Sequence, residues 1–234
     1  MHTPRTTTGT VSSAAAAQES ARCREQMVAS QLIARGIGDP RVLAAMRAIP
    51  REDFVPESHR WAAYRDEPLP IGEGQTISQP FMVAAVAEAA ELTGSERVLE
   101  VGAGCGYQAA VLARLARAVL GVECVSTLAA AAAARLAALG FANIRIEIGD
   151  GSAGWPQDAP FDVIVVSAAA PQVPPPLVEQ LAPGGRLVIP VGESQSQELV
   201  RVRVNPDGST SQQSLHYCRF VPLVGRWGWG GSAP

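Results

Sequence analysis

The stretch "RVLEVGAGCGYQAAVLARLA", Arg97 to Ala116, decides how this chain folds. Its first five residues suit a buried strand. Gly102, Gly104 and Gly106 follow at once, and a helical, alanine-rich segment comes after them. Glycines at such a junction permit a tight turn, let a ligand approach the backbone, and aim helix-start amides at it. The spacing is G-x-G-x-G, whereas a pyrophosphate-binding dinucleotide fold prefers G-x-G-x-x-G. A plain strand-to-helix turn is the alternative, and the surrounding pattern argues against it.

Four more short apolar runs follow: "AVLGVE", "NIRIEIGD", "FDVIVVSA" and "GRLVIPVG", most of them separated by alanine-rich helical segments. Alternation of this kind predicts a doubly wound parallel sheet covered by helices, an α/β Rossmann-like architecture. "QELVRVRVN" and "SLHYCRFVPLVG", with turn-like "PDGSTSQQ" between them, predict an antiparallel strand pair at the end of the sheet. Ahead of the sheet, Ala21 to Arg35 and "RVLAAMRAIP" read as two short helices, and "REDFVPESHRWAAYRDEPLP" as irregular. "GEGQTISQP", Gly72 to Pro80, reads as a loop, and "PFMVAAVAEAAEL" as a helix with Pro80 at its start.

The chain has 234 residues, 47% of them apolar, which suits one well-buried domain. That domain is expected over residues 21–225, with helices and the loop in 21–95 and the Rossmann-like core in 96–225. "MHTPRTTTGTVSSAAAAQES" (1–20) reads as a disordered tail and residues 226–234 as a loose one. A formal charge of -3 gives no long-range attraction for nucleic acid or anionic membrane. All 19 basic residues are Arg, so a phosphate-loop lysine, a pyridoxal Schiff base and a Tyr-x-x-x-Lys dehydrogenase pair are excluded. Cys23, Cys105, Cys124 and Cys218 are scattered, as are His2, His59 and His216, so no metal site or disulfide framework is expected. No signal-peptide core or membrane-length apolar run occurs, and a cytoplasmic setting is expected.

Two further strand tips carry acceptors. Glu123 ends the second run, where its carboxylate can accept from both hydroxyls of a ribose, and Asp150-Gly151 ends the third, where a side-chain acceptor can meet an adenine amino group. Glycine turn, ribose acceptor and base acceptor then share one sheet edge.

"LEVGAGCGYQ" with Glu123 and "GDG" resembles the S-adenosylmethionine-dependent methyltransferases. "LPIGEGQTISQPFMVA" and "RFVPLVG" narrow the resemblance to the protein-L-isoaspartate O-methyltransferase family, over roughly Glu25 to Gly225. The resemblance implies that Gln75, Thr76, Ile77 and Ser78 close over cofactor and substrate, with Ser78 the active-site residue. It implies that Gly102, Ala103, Gly104 and Gly106 face the methionine part of S-adenosylmethionine, with Glu123 at the ribose and Asp150 and Gly151 at the adenine. It also places Thr76, Ile77, Ser78, Phe220, Val221 and Pro222 beside a bound isoaspartyl peptide; a monomer without a metal is expected.

An isoaspartyl α-carboxylate is already ionised at neutral pH, so Ser78 is expected to orient it by a hydrogen bond and not to act as a nucleophile. Without the resemblance, Ser78 would read as a helix-cap hydroxyl before Pro80. Ala103 and Cys105 stand where the family often has Thr or Ser. Cys105, at a helix start, is where a lowered thiol pKa would arise, although an unreactive thiol is expected. The rival readings are a same-fold methyltransferase acting on another carboxylate or a small molecule, and a catalytically silent module binding cofactor or peptide. The intact "GQTISQP" argues against both.

Overall fold

A computed structural model describes residues 8–230, with residues 8–14 and 16 described through their backbone alone. Its centre is a seven-stranded sheet built from β3 (Arg97–Val101), β4 (Ala118–Glu123), β5 (Ile144–Ile148), β6 (Phe161–Val166), β7 (Leu181–Glu193), β8 (Ser196–Val204) and β9 (Thr210–Cys218). The order is β5-β4-β3-β6-β7-β8-β9, with the first five parallel and the last two antiparallel. The chain runs outward from β3 to β5, then returns to the other side of β3 to start β6. That reversal opens a crevice beyond the carboxyl ends of β3 and β6.

Period-two alternation assigns the strand side chains to two cores. Val98, Val119, Val163 and Val165 pack on one face with the amino-terminal helices, while Leu99, Val101, Leu120, Val122 and Ile164 pack on the other. Both faces are covered, which is why these strands read as nearly continuous apolar runs. Helices α3 (Pro80–Ala89), α4 (Tyr107–Ala113) and α5 (Ser126–Ala138) cover the sheet, and Pro80 occupies the first turn of α3 as expected.

Four expectations need correction. First, α1 spans Thr8–Met27, so helix covers residues 8–20, where a disordered tail was expected. The alanine run Ala14–Ala17 has the highest helix propensity available and extends the helix that follows it; residues 1–7 lie outside the described residues. Met27 leads through a π turn and a 3-10 turn to α2 (Pro40–Ala48), which Asp39 caps by accepting from the Arg41 and Val42 amides.

Second, the stretch read as a loop contains a small hairpin, β1 (Leu69–Gly72) paired with β2 (Gln75–Ile77). Its turn places Glu73 and Gly74 at φ 53° and 69°, the left-handed pair of a type I′ turn, which matches strand twist. Third, β9 begins at Thr210, so "TSQQ" is strand, and Arg219 onward leaves the sheet. Fourth, residues 226–230 are pinned. The Arg226 amide donates to Asp150 Oδ2 (2.8 Å), the Trp227 amide to Ser152 Oγ (3.0 Å), and Trp229 Nε1 to the Ala169 carbonyl (3.0 Å). These are mostly main-chain contacts, to which residue types give no clue; residues 231–234 lie outside the described residues.

Candidate active site

The crevice at the carboxyl edge is roofed by two segments. The β1–β2 hairpin supplies Ile71, Gln75 and Thr76, and the strap Val221–Val224 supplies the opposite wall. Its floor is Gly102, Gly104, Glu123 and Gly151. Gly104 has φ 53°, and a Cβ there would lie 3.2 Å from Ile71 Cδ1, so the hairpin rests almost on the glycine backbone. Any side chain here would fill the space a ligand needs.

Glu123 is fixed at the edge of the floor. Its Oε2 accepts from the Gly104 amide (2.8 Å) and its Oε1 from the Val125 amide (3.0 Å). Oε2 keeps a second lone pair, and the second donor to Oε1 is only the weak Cys124 thiol (3.6 Å), which a hydroxyl can displace. Asp150 is more occupied: Oδ1 accepts from the Ser152 amide (2.9 Å) and hydroxyl (2.6 Å), and Oδ2 from the Arg226 amide. Gly151 lines the crevice, whereas Asp150 sits just behind it. Gly106 starts α4 at φ 87° and faces Leu136 and Ala132 of α5.

Two smaller cavities continue from the crevice. One, beside the glycine turn, is lined by Thr76, Ile77, Ser78, Ala103, Glu100 and Gln108. The other, beside the exit from β9, is lined by Thr76, Ser78, Ser167, Arg219, Phe220 and Val221. Thr76, Ser78 and Ser167 belong to both, so the segment Thr76–Ser78 and the residue after β6 together form the wall between them. Pro222 faces the crevice.

The segment after Ser78 is held from below by Asp66, whose Oδ1 accepts from the Phe81 amide (3.0 Å) and Oδ2 from Gln79 Nε2 (3.1 Å) and the Arg35 guanidinium. Glu100, in the middle of β3, is fully buried. Burial holds its carboxyl well above the usual range, and the nearby Glu123 adds to this, against a lowering hydrogen bond from Ser167. Oε1 accepts from Ser167 Oγ (3.1 Å); Oε2 and the nearby Gln108 Nε2 have no partner among the described residues. Unpaired buried polar atoms are costly, and these two line the cavity beside the glycine turn. They fit a ligand end carrying both donors and acceptors, as the amino-acid end of S-adenosylmethionine does.

A family profile described as protein-L-isoaspartate(D-aspartate) O-methyltransferase matches residues 23–228. A curated relative, protein-L-isoaspartate O-methyltransferase 1 of Rhodopseudomonas palustris, is 57% identical over 90% of this chain and 86% of its own length. The chain belongs to the protein-L-isoaspartate O-methyltransferase family. The Geobacter metallireducens member is 54% identical over 88% of this chain and 96% of its own. A solved protein-L-isoaspartate O-methyltransferase superposes with TM-score 0.77 at 31% identity, covering 88% of this chain and 67% of its own. A Plasmodium falciparum beta-aspartate methyltransferase, solved in complex with S-adenosyl-L-homocysteine, superposes with TM-score 0.72 at 26% identity over 86% of this chain and 98% of its own.

The family assignment makes S-adenosylmethionine the cofactor, and the crevice accommodates it by the glycine floor and the two orphaned polar atoms of Glu100 and Gln108. Ala103 and Cys105, the two departures in the glycine motif, are both buried, 4% and 6% exposed. Burial pushes the Cys105 thiol up, and this outweighs the lowering hydrogen bond from the Tyr107 amide at the helix start. Sequence reasoning missed Glu100, Gln108 and Asp66. Glu100 and Gln108 stand inside the glycine motif itself, and an acid in the middle of an apolar strand was the available signal. Among the described residues, no helix is long and apolar enough to cross a membrane.

Proposed function

We propose that the enzyme esterifies the free α-carboxyl of L-isoaspartyl residues in damaged proteins and peptides, as a cytoplasmic monomer. One carboxylate oxygen forms a bond to the methyl carbon as the methyl–sulfur bond breaks. The products are a methyl ester and S-adenosylhomocysteine, with the sulfonium charge and the carboxylate charge cancelling. The ester can then close to a succinimide, whose hydrolysis returns part of the material to normal aspartate.

The observation that carries this reading is the shared wall of Thr76 and Ser78 between the two small cavities. S-adenosylmethionine brings a methyl group already activated on a sulfonium. Ser78 has no His hydrogen-bonded to it among the described residues, so its hydroxyl donates to the acceptor carboxylate and orients it. Lining up reacting atoms at roughly 3–3.5 Å and excluding water are the tasks left to the protein. The hairpin that carries Gln75, Thr76 and Ile77 roofs the crevice and suits both.

Glu123 receives the ribose hydroxyls on its two carboxylate oxygens, and Gly102, Ala103 and Gly104 border the methionine end. Glu100 Oε2 meets the ammonium there, a cation that favours the ionised carboxyl. Gly151 gives the adenine a flat wall, with Asp150 Oδ2 able to accept one further hydrogen bond. Phe220 and Val221 line the acceptor cavity, with Arg219 at its edge.

The test is transfer of labelled methyl to two peptides of one sequence, one containing L-isoaspartate and the other normal aspartate. Base-labile label on the isoaspartyl peptide alone is expected. Label on neither, with cofactor bound, would overturn the acceptor assignment. Ser78→Ala should slow transfer while S-adenosylhomocysteine affinity stays unchanged; loss of both together would refute the role given to Ser78.

A further inference from the structure

Arg51 heads the fully buried side chains by size and has no exposed surface. It also has no ion pair among the described residues. A buried cation without a carboxylate is retained only where hydrogen bonds and ring faces replace water. Here Nε donates to the Ala63 carbonyl (2.8 Å) and Nη2 to the Ser78 carbonyl (2.7 Å), and the guanidinium lies 4.9 Å from the Tyr107 ring centroid. Nη1 is buried without an acceptor.

The three neighbours come from three parts of the chain. Ala63 directly follows a 3-10 helix (Glu57–Ala62), Ser78 lies between β2 and α3, and Tyr107 is the first residue of α4, directly after the glycine turn. β2 ends at Ile77 and α3 starts at Pro80, so the ladder and the helix leave Ser78 to other supports. Asp66 holds Gln79 and Phe81, and Arg51 holds Ser78 itself.

We infer that Arg51 is a positioning residue for methyl transfer: from the protein side, it fixes the Ser78 carbonyl against the start of α4 and thereby sets where the Ser78 hydroxyl stands. The inference rests on the role of Ser78 in the proposed function. The planar fork spans two carbonyls and a ring face at once, and a lysine ammonium, a point charge on a flexible stem, cannot reproduce that span. A displacement of about 1 Å at a positioned group is enough to cost about 100-fold in rate.

The experiment compares wild type, Arg51→Lys, Arg51→Gln and Phe54→Leu. Phe54 packs edge-on against Tyr107 with centroids 5.2 Å apart, so its substitution loosens the same cluster without touching the Ser78 carbonyl. Steady-state methylation of an isoaspartyl peptide, S-adenosylhomocysteine titration, melting temperature and hydrogen exchange of residues 75–79 are measured for each. Both Arg51 variants should lose about 100-fold in kcat, keep their S-adenosylhomocysteine affinity and exchange faster over residues 75–79. Phe54→Leu should melt earlier yet keep kcat.

Unchanged kcat in Arg51→Lys, or an equal kcat loss in Phe54→Leu, would overturn the inference. So would loss of S-adenosylhomocysteine binding by both Arg51 variants, since the arginine would then serve the whole domain. A wild type that does not methylate the isoaspartyl peptide would instead sink the proposed function, and unchanged exchange over residues 75–79 would then still refute the placement of Ser78 by Arg51.

Discussion

Ending the chain after Gly225 should weaken cofactor binding while leaving the fold nearly as stable as before. Five hydrogen bonds disappear: Arg226 amide to Asp150, Trp227 amide to Ser152, Gly228 amide to the Gly225 carbonyl (3.1 Å), Trp229 amide to the Leu223 carbonyl (2.7 Å), and Trp229 Nε1 to the Ala169 carbonyl. The bond to the Asp150 carboxylate contributes about 2 kcal/mol and the four others about 1 kcal/mol each. Ordering the four residues Arg226 to Trp229 costs about 1–1.5 kcal/mol apiece, so the two sums nearly cancel and global stability changes little.

The crevice is affected differently. Val221–Val224 forms one of its walls, and the two Trp229 bonds, worth about 2 kcal/mol together, fasten that strap from outside. The Ala169–Val221 and Leu223–Ala169 backbone bonds (2.8 and 2.7 Å) remain as its inner fastening. If half of that energy reaches the closed strap, S-adenosylhomocysteine binding weakens by about fivefold. Isothermal titration of the full chain and the shortened chain reads this directly, and kcat at saturating cofactor should be unchanged. Gly225→Ala should act in the same direction without shortening anything, because its Cβ would lie 2.0 Å from Asp150 Oδ1 at φ +140°. Unchanged affinity in both variants, or a kcat loss matching the affinity loss, would refute the reasoning.

Glu96 makes the acid limb of stability predictable. Burial alone would raise its carboxyl, but the Thr93 hydroxyl and the Thr93 and Gly94 amides outweigh this and bring it to about 2. A depressed folded-state pKa contributes stability above the unfolded value of about 4.3, and that contribution is lost as pH falls toward 2. Glu96→Gln should therefore remove roughly 2 kcal/mol from the stability drop between pH 7 and pH 3, read from urea midpoints; an unaltered drop would count against it. Gly151→Ala places a Cβ 2.7 Å from Val101 Cγ1 at the crevice floor, and should cost about 1–3 kcal/mol by overpacking as well as cofactor affinity. Denaturation and titration together check this, and a normal affinity would show that the floor yields to the added methyl.

The sheet was legible because its signals are local. The run from Arg97 into three glycines and then an alanine-rich segment has one economical conformation, and Pro80 marks a helix start by its fixed φ. The hairpin was not legible, since Gly72 and Gly74 were weighed as breakers while the type I′ pair Glu73-Gly74 works as a connector. The sequence shows charge at Arg51, Asp66 and Glu100 but not that Arg51 and Glu100 are buried, and burial is what gives those two their meaning. Asp150 was readable as a strand-tip acceptor, yet nothing local reveals that a segment 76 residues further on occupies one of its oxygens.

The wall that Thr76 and Ser78 present to two cavities has a use in ligand design. A cofactor-like amino-acid end in the cavity beside the glycine turn and a carboxylate-bearing peptide mimic beside Phe220 would be separated by the segment Thr76–Ser78 and by Ser167. A short linker passing that segment would turn two weak associations into one, with an effective concentration set by the linker's fit. Such a bisubstrate inhibitor would select for enzymes in which both cavities meet at this hairpin, and would discriminate against methyltransferases that share only the glycine floor.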